Sequence, residues 1–268
     1  MAGADRDDRQ RVAGLNRIDP FDVSQDAFLC GRLHLWQPTK GYRAATDPVL
    51  LAAACPAVTG QSVLDLGCGV GAAALCLGAR VPGLRLAGLE LQSDYADLAR
   101  RNGVENRQDF TVETGDLALM PQALRRDFDH VIANPPYYPR GGTPSPDSGR
   151  ARALSVDTPL ADWVAAAARR LAPGGWLTLI CGADGLPQVL GALAPKLGSA
   201  VVLPLAAREG RPALRVVLRA RKGGRAGFRL LAPLILHKGP VHDGDRESYT
   251  ARAEEILRGG RALDAEFG

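Results

Sequence analysis

The chain is predicted to fold as an α/β protein: a mostly parallel, seven-stranded sheet covered by helices on both faces, with an antiparallel last strand and a small C-terminal extension. Three observations carry that prediction. Strand and helix patterns alternate from Ser62 onward, and a glycine turn, Gly67-Cys68-Gly69-Val70-Gly71, joins the first of those strands to a helix. The last two strand patterns, Ala200–Pro204 and Ala213–Arg219, have only Leu205–Pro212 between them, too little for a helical crossover, so they are expected to pair antiparallel.

A polar leader is expected over residues 1–20, the main domain over 21–223 and the extension over 224–268. Phe28–Trp36 alternates weakly, as a short hairpin or edge strand does. Thr46 or Asp47 is a suitable N-cap for a helix whose first turn holds Pro48 and whose apolar body is Val49–Cys55. Strands are predicted at Ser62–Leu66 and Arg85–Glu90 with a helix over Val70–Arg80 between them. A helix over Ser93–Asn102 leads to a strand at Phe110–Thr114, and Asp129–Ala133 is the next strand. Helix Leu160–Leu171 stops at Pro173-Gly174-Gly175, before a strand at Trp176–Cys181. Beyond Gly223 the pattern weakens to a strand at Phe228–His237 and a closing helix over Glu247–Leu257.

Composition narrows the class. With 46% hydrophobic and 23% charged residues the chain is globular, and its net charge of +4 permits an anionic partner without demanding one. The five cysteines are odd in number and never stand as C-x-x-C, which supports neither a disulfide framework nor a zinc site. His237 and His242 lack carboxylate or Cys partners at ligand spacing, so no metal is expected. The charged residues of Met1 to Val12 do not form a signal peptide, and no run approaches the roughly 18 apolar residues of a membrane span. A soluble, cytoplasmic protein with no membrane partner is the expectation.

Val63-Leu64-Asp65-Leu66 running into the glycine turn is a strand, loop and helix in which ligand atoms can approach a backbone without meeting a Cβ. Glu90 ends the second strand, placed for ribose hydroxyls, and Asp116 follows the third, placed for an adenine amine. Gly67, Gly69 and Ala72 also satisfy the dinucleotide fingerprint G-x-G-x-x-A. A pyrophosphate over that helix, however, would meet the added negative charge of Asp65. A cofactor carrying a sulfonium and an ammonium suits the loop better.

Asn134-Pro135-Pro136-Tyr137 follows the apolar run His130–Ala133, at the carboxyl edge where open α/β sheets bind ligands. The two prolines make the turn stiff and leave carbonyl oxygens without competing N–H donors. Asn134 adds a side-chain carbonyl and Tyr137 a flat ring. This set matches a planar –NH2 group: two acceptors for its hydrogens and a face to stack on. His130, inside the strand, reads as structural.

These motifs, with the upstream segment Tyr42-Arg43-Ala44-Ala45-Thr46-Asp47-Pro48-Val49-Leu50-Leu51, make the chain resemble the N6-adenine tRNA methyltransferases over roughly Asp22 to Lys222. Gly149-Arg150-Ala151-Arg152 and Arg208-Glu209-Gly210-Arg211-Pro212 belong to the same likeness. The resemblance implies a Rossmann-like methyltransferase sheet and S-adenosylmethionine as cofactor. It places the methionine portion on Asp65, Gly67, Gly69 and Gly71, the ribose on Glu90 and the adenine on Asp116. It makes Asn134 and the Pro135 carbonyl the acceptors of the target amine, with Tyr137 stacked on the base. Arg140, Arg150, Arg152, Arg208 and Arg211 are then expected to contact RNA phosphates, most simply those of a tRNA anticodon loop. Two alternatives share these features: methylation of a glutamine amide in a release factor, whose enzymes carry an N-terminal helical domain for which the roughly 60 residues before Ser62 leave little room, and a non-catalytic RNA-binding module.

Overall fold

The N-terminal alternation resolves into a hairpin, β1 (Val23–Phe28) and β2 (Leu33–Pro38), in the computed structural model, which describes residues 22–136, 158–239 and 248–268. The chain continues through α1 (Thr46–Ala54), β3 (Ser62–Leu66), α2 (Ala72–Arg80), β4 (Arg85–Glu90), α3 (Ser93–Glu105), β5 (Phe110–Thr114) and β6 (Phe128–Ala133). From residue 158 onward come α4 (Leu160–Arg170), β7 (Leu171–Gly182), α5 (Leu186–Leu193), β8 (Leu197–Ala206) and β9 (Ala213–Lys222). Two short strands, β10 (Arg229–Leu230) and β11 (Leu234–Ile235), and two helices, α6 (Ala251–Leu257) and α7 (Asp264–Phe267), form the extension.

The main sheet runs β5-β4-β3-β6-β7-β9-β8, and β9 alone is antiparallel to its neighbours. The predicted strands are therefore present, mostly parallel and with the last of them antiparallel as expected of a Rossmann-like methyltransferase. The extension adds β10 and β11 beside β8, which makes nine. The single strand expected at Phe228–His237 is broken because Pro233 lacks an N–H, and so does Pro204 in the facing strand. Other boundaries moved. Thr46 and Asp47 lie inside the first turn of α1 with Ala45 as N-cap, and β7 starts at Leu171, before the Pro-Gly-Gly, through an irregular pairing with β6. Helix α5 and the closing α7 carried too short an apolar pattern to be read from the sequence.

Alternating residues of each strand feed two cores. Leu64, Leu66, Val131, Ala133, Leu177 and Leu179 pack under α4 and α5. Val63, Ile132, Ile180 and Val217 pack under α1 and α2, and the extension joins this second core through Ile256, Leu263 and Phe267. The hairpin is docked by two asparagines that imitate a neighbouring strand, Asn102 in α3 and Asn106 at its C-cap. Asn102 exchanges hydrogen bonds with the Trp36 backbone at 2.8 and 3.0 Å, and Asn106 does so with the His34 backbone at 3.1 and 2.7 Å. Among the described residues β2 pairs only with β1, and this side-chain pairing satisfies its second edge.

Candidate active site

The chain turns back between β3 and β6, which lie side by side with Leu66 paired to Ala133. The next residues, Gly67 and Asn134, therefore leave adjacent strand ends about 4.8 Å apart in the sheet direction. Gly67 has φ 65°, and a Cβ there would lie 2.5 Å from the Trp163 ring of α4. Glycine is required by both the backbone and the close approach.

Glu90 ties this loop to the next strand. One carboxylate oxygen accepts the Gly69 N–H at 2.8 Å and the other accepts the Gln92 N–H at 2.9 Å. Burial raises its pKa and these bonds oppose the rise. Asp65 is buried and faces α2, where it accepts the Ala74 N–H at 3.3 Å; burial, with some repulsion from Glu90, pushes it up to about 8. It is a helix-anchoring group beneath the glycine turn. Asp116 lies two residues past β5, exposed, with Oδ1 on the Ala118 N–H at 2.8 Å. Leu91, next to Glu90, keeps 45% of its surface exposed at this carboxyl edge.

Asn134 is half-buried, Pro135 buried and Pro136 exposed. The Asn134 side-chain amide donates to the Tyr42 hydroxyl at 3.3 Å. Tyr42 belongs to the segment before α1 and had no individual role in the sequence; a hydrogen bond across 92 positions leaves no local signal. Tyr42 keeps 37% of its surface exposed; partial desolvation of its hydroxyl, then the carboxylates of Asp47 and Asp65, push its pKa up to about 12, so its proton is retained at neutral pH. Tyr137, Arg140, Arg150, Arg152 and His242 lie outside the described residues. His130 bonds Gln61 at 2.8 Å within the sheet, and burial lowers it to about 4.

The profile of the methyltransferase small domain family matches residues 45–193, more than half of the chain. The chain belongs to that family. This methyltransferase is 30% identical over 201 residues to a tRNA1(Val) (adenine(37)-N6)-methyltransferase of Aeromonas hydrophila, covering 73% of this chain and 84% of that protein. It is 35% identical over 94 residues to a release factor glutamine methyltransferase of Chlorobaculum tepidum, covering 34% of this chain and 32% of that protein. A crystal structure from Agrobacterium tumefaciens, described as a predicted O-methyltransferase, superposes with a TM-score of 0.65 at 26% identity, covering 81% of this chain and 97% of the other.

The cofactor of this methyltransferase is S-adenosylmethionine, and the crevice fits it. At Gly69 the space where a Cβ would stand is open but for the Tyr42 ring 4.0 Å away, the Glu90 carboxylate is held at the strand end, and Leu91 keeps an exposed apolar surface beside it. Trp163 Nε1 is buried and finds no partner among the described residues. No group of three or more His, Cys, Asp or Glu stands together, and no helix is long and apolar enough to cross a membrane, among those same residues.

Of the two arginines expected to meet phosphates in this part of the chain, Arg208 is used otherwise. Arg208 is 8% exposed and its guanidinium donates to the Lys238 and Gly239 carbonyls and to Ser248. Arg215 pairs with Asp47, Arg219 with the Ala54 carbonyl and Asp264, Arg221 with the Gly174 carbonyl, Lys222 with the Leu171 carbonyl and Arg229 with the Phe267 carbonyl. These side chains bind the fold's own acceptors. Arg208 is thus a clamp on the extension, while Arg211 stands exposed in the β8–β9 turn at the carboxyl edge.

Proposed function

We propose that this methyltransferase acts on the exocyclic N6 amine of adenine in RNA, in the anticodon loop of a tRNA, as a cytoplasmic enzyme. The observation that carries the reading is Asn134-Pro135-Pro136 at the end of β6, next to the glycine loop of β3. The Aeromonas hydrophila relative, matched over most of its length, supports the choice of adenine.

Bound S-adenosylmethionine supplies an electrophilic methyl group on a sulfonium. The chain's residues do the rest. Gly67, Gly69 and Gly71 give the cofactor a backbone surface without side chains, over a turn anchored by Asp65; Glu90 receives the ribose hydroxyls and Asp116 the adenine amine. Asn134 Oδ1 and the Pro135 carbonyl accept the two hydrogens of the target amine. Its lone pair is conjugated into the ring, and holding both hydrogens lets nitrogen pyramidalise and favours the positive charge that develops on it. Tyr137 stacks on the base. Positioning of this kind lowers a barrier by about 7–11 kcal/mol, so no general base is needed before transfer; the methylated amine would then give up its extra proton to water as the demethylated cofactor leaves. Arg140, Arg150, Arg152 and Arg211 meet the phosphates, and binding weakens steeply with salt.

Incubation with labelled cofactor and total tRNA, followed by digestion to nucleosides, tests this. Label in N6-methyladenosine is expected. Label only in release-factor glutamine, or in no RNA nucleoside, overturns the RNA substrate and leaves the family intact.

A further inference from the structure

We infer that Tyr42 is a positioning residue for methyl transfer: its hydroxyl accepts the Asn134 side-chain N–H at 3.3 Å and so turns the Asn134 carbonyl oxygen toward the target amine. The inference rests on the function proposed above, in which Asn134 Oδ1 must accept. An asparagine amide has two nearly isosteric ends, and only one of them can receive a hydrogen from the substrate. With no partner on the nitrogen, the amide is free to present its NH2 instead, which repels an amine's hydrogens. A hydroxyl oxygen on the nitrogen side, with its own proton directed elsewhere, disfavours that orientation.

Tyr42 is itself held on several sides. Its backbone N–H donates to the Tyr95 hydroxyl at 3.1 Å, and that hydroxyl donates back to the Tyr42 carbonyl at 3.3 Å. The following residues are strapped to the hairpin. Arg43 donates to Ser24 at 2.9 Å and to the Pro38 carbonyl at 2.7 Å, and Gln37 accepts the Ala44 N–H at 2.7 Å. On its other side the Tyr42 ring passes 4.0 Å from where a Gly69 Cβ would stand, so the side chain that bonds the amine-binding residue also lies beside the cofactor loop. The Asp47 carboxylate, paired with Arg215, lies close enough to act electrostatically on Tyr42. It favours a hydroxyl whose proton points toward it and whose lone pair is left for Asn134.

This assigns work to the hairpin as well. Its docking through Asn102 of α3 and the C-cap Asn106 fixes the strap that fixes Tyr42, and Tyr42 then orients the residue that follows β6.

A double-mutant cycle with labelled S-adenosylmethionine and total tRNA reads the coupling. Tyr42→Phe keeps the ring and should lower kcat about tenfold, the upper end of one neutral hydrogen bond. The KM for tRNA, the cofactor Kd and the melting temperature should stay near wild type. In an Asn134→Ala background, Tyr42→Phe should have no further effect on kcat, because it acts through the missing amide. An unchanged kcat in Tyr42→Phe, or the same fold-loss in both backgrounds, overturns the inference. Where Asn134→Ala turnover is below detection, or where the wild type transfers no label to tRNA, 15N NMR of the Asn134 side-chain amide decides. The resonance, assigned by its loss in Asn134→Ala, should shift in Tyr42→Phe; a resonance that stays in place sinks the proposal. Wild-type inactivity on tRNA with a shifted resonance defeats the RNA substrate alone.

Discussion

Arg215 and Arg219 stand on one face of β9 and hold the two ends of α1. Arg215 pairs with Asp47 in the first turn, and Arg219 donates to the Ala54 carbonyl in the last. The lengths agree: the strand from Arg215 to Arg219 spans about 13 Å, and the helix from Asp47 to Ala54 rises about 10 Å. Arg80 joins at the same carboxyl end, donating to the Ala52 and Cys55 carbonyls at 3.0 and 2.5 Å. Cations there oppose the negative end of the helix dipole. The segment carrying Tyr42 enters the site directly before α1, so this clamp also aligns the site.

Arg219→Ala should lower stability by about 2–3 kcal/mol, because a charged donor to the buried Ala54 carbonyl is lost and the Phe267 ring, 3.8 Å from the guanidinium, loses its cover. Arg219→Lys should recover little, since one ammonium cannot reach both Ala54 and Asp264. Urea denaturation measures both variants; an unshifted midpoint would show that α1 is held by other contacts.

Glu90→Ala should strand the Gly69 and Gln92 amides at about 1–3 kcal/mol each and reduce S-adenosylmethionine affinity at least about tenfold. Calorimetry gives the affinity and thermal melting the stability. A wild-type Kd in this variant would take Glu90 out of the cofactor site.

Gly67→Ala should be destabilised by about 1–2 kcal/mol through its left-handed backbone, with a further penalty from the Trp163 ring. In a Trp163→Ala background the steric part should vanish and the backbone part remain. Equal losses in both backgrounds would clear Trp163 of the overlap.

Stability should fall as pH rises from about 6.5 to about 8. Asp65 has its pKa raised from 3.8 to about 8, so the folded chain binds the extra proton in that interval and loses its advantage as the pH climbs through the folded value. His130, lowered from 6.5 to about 4, acts the opposite way, but only below 6.5, where it offsets Asp65. The slope above 6.5 should therefore approach about 1.4 kcal/mol per pH unit, and Asp65→Asn should flatten it. Denaturation midpoints at several pH values supply the test; a wild-type slope matching that of Asp65→Asn would mean that Asp65 is not the group titrating.

The sequence by itself determined the sheet, the glycine turn and the Asn-Pro-Pro turn. These depend on local periodicity and turn chemistry: Ser62–Leu66 and Asp129–Ala133 are apolar runs of strand length, and each stops at residues that only a sharp turn uses. It also placed His130 within the sheet. The tertiary structure decided how the charged and polar side chains are used. An arginine that alternates with apolar residues looks the same whether its outer face meets water, a phosphate or a helix end, and packing against α1 resolves Arg215 and Arg219. Arg208 is settled in the same way by the carbonyls of the extension. The meeting of Tyr42 with Asn134 needs the hairpin docked, α1 seated and β6 returned beside β3, so only the assembled core brings the two side chains within hydrogen-bond reach.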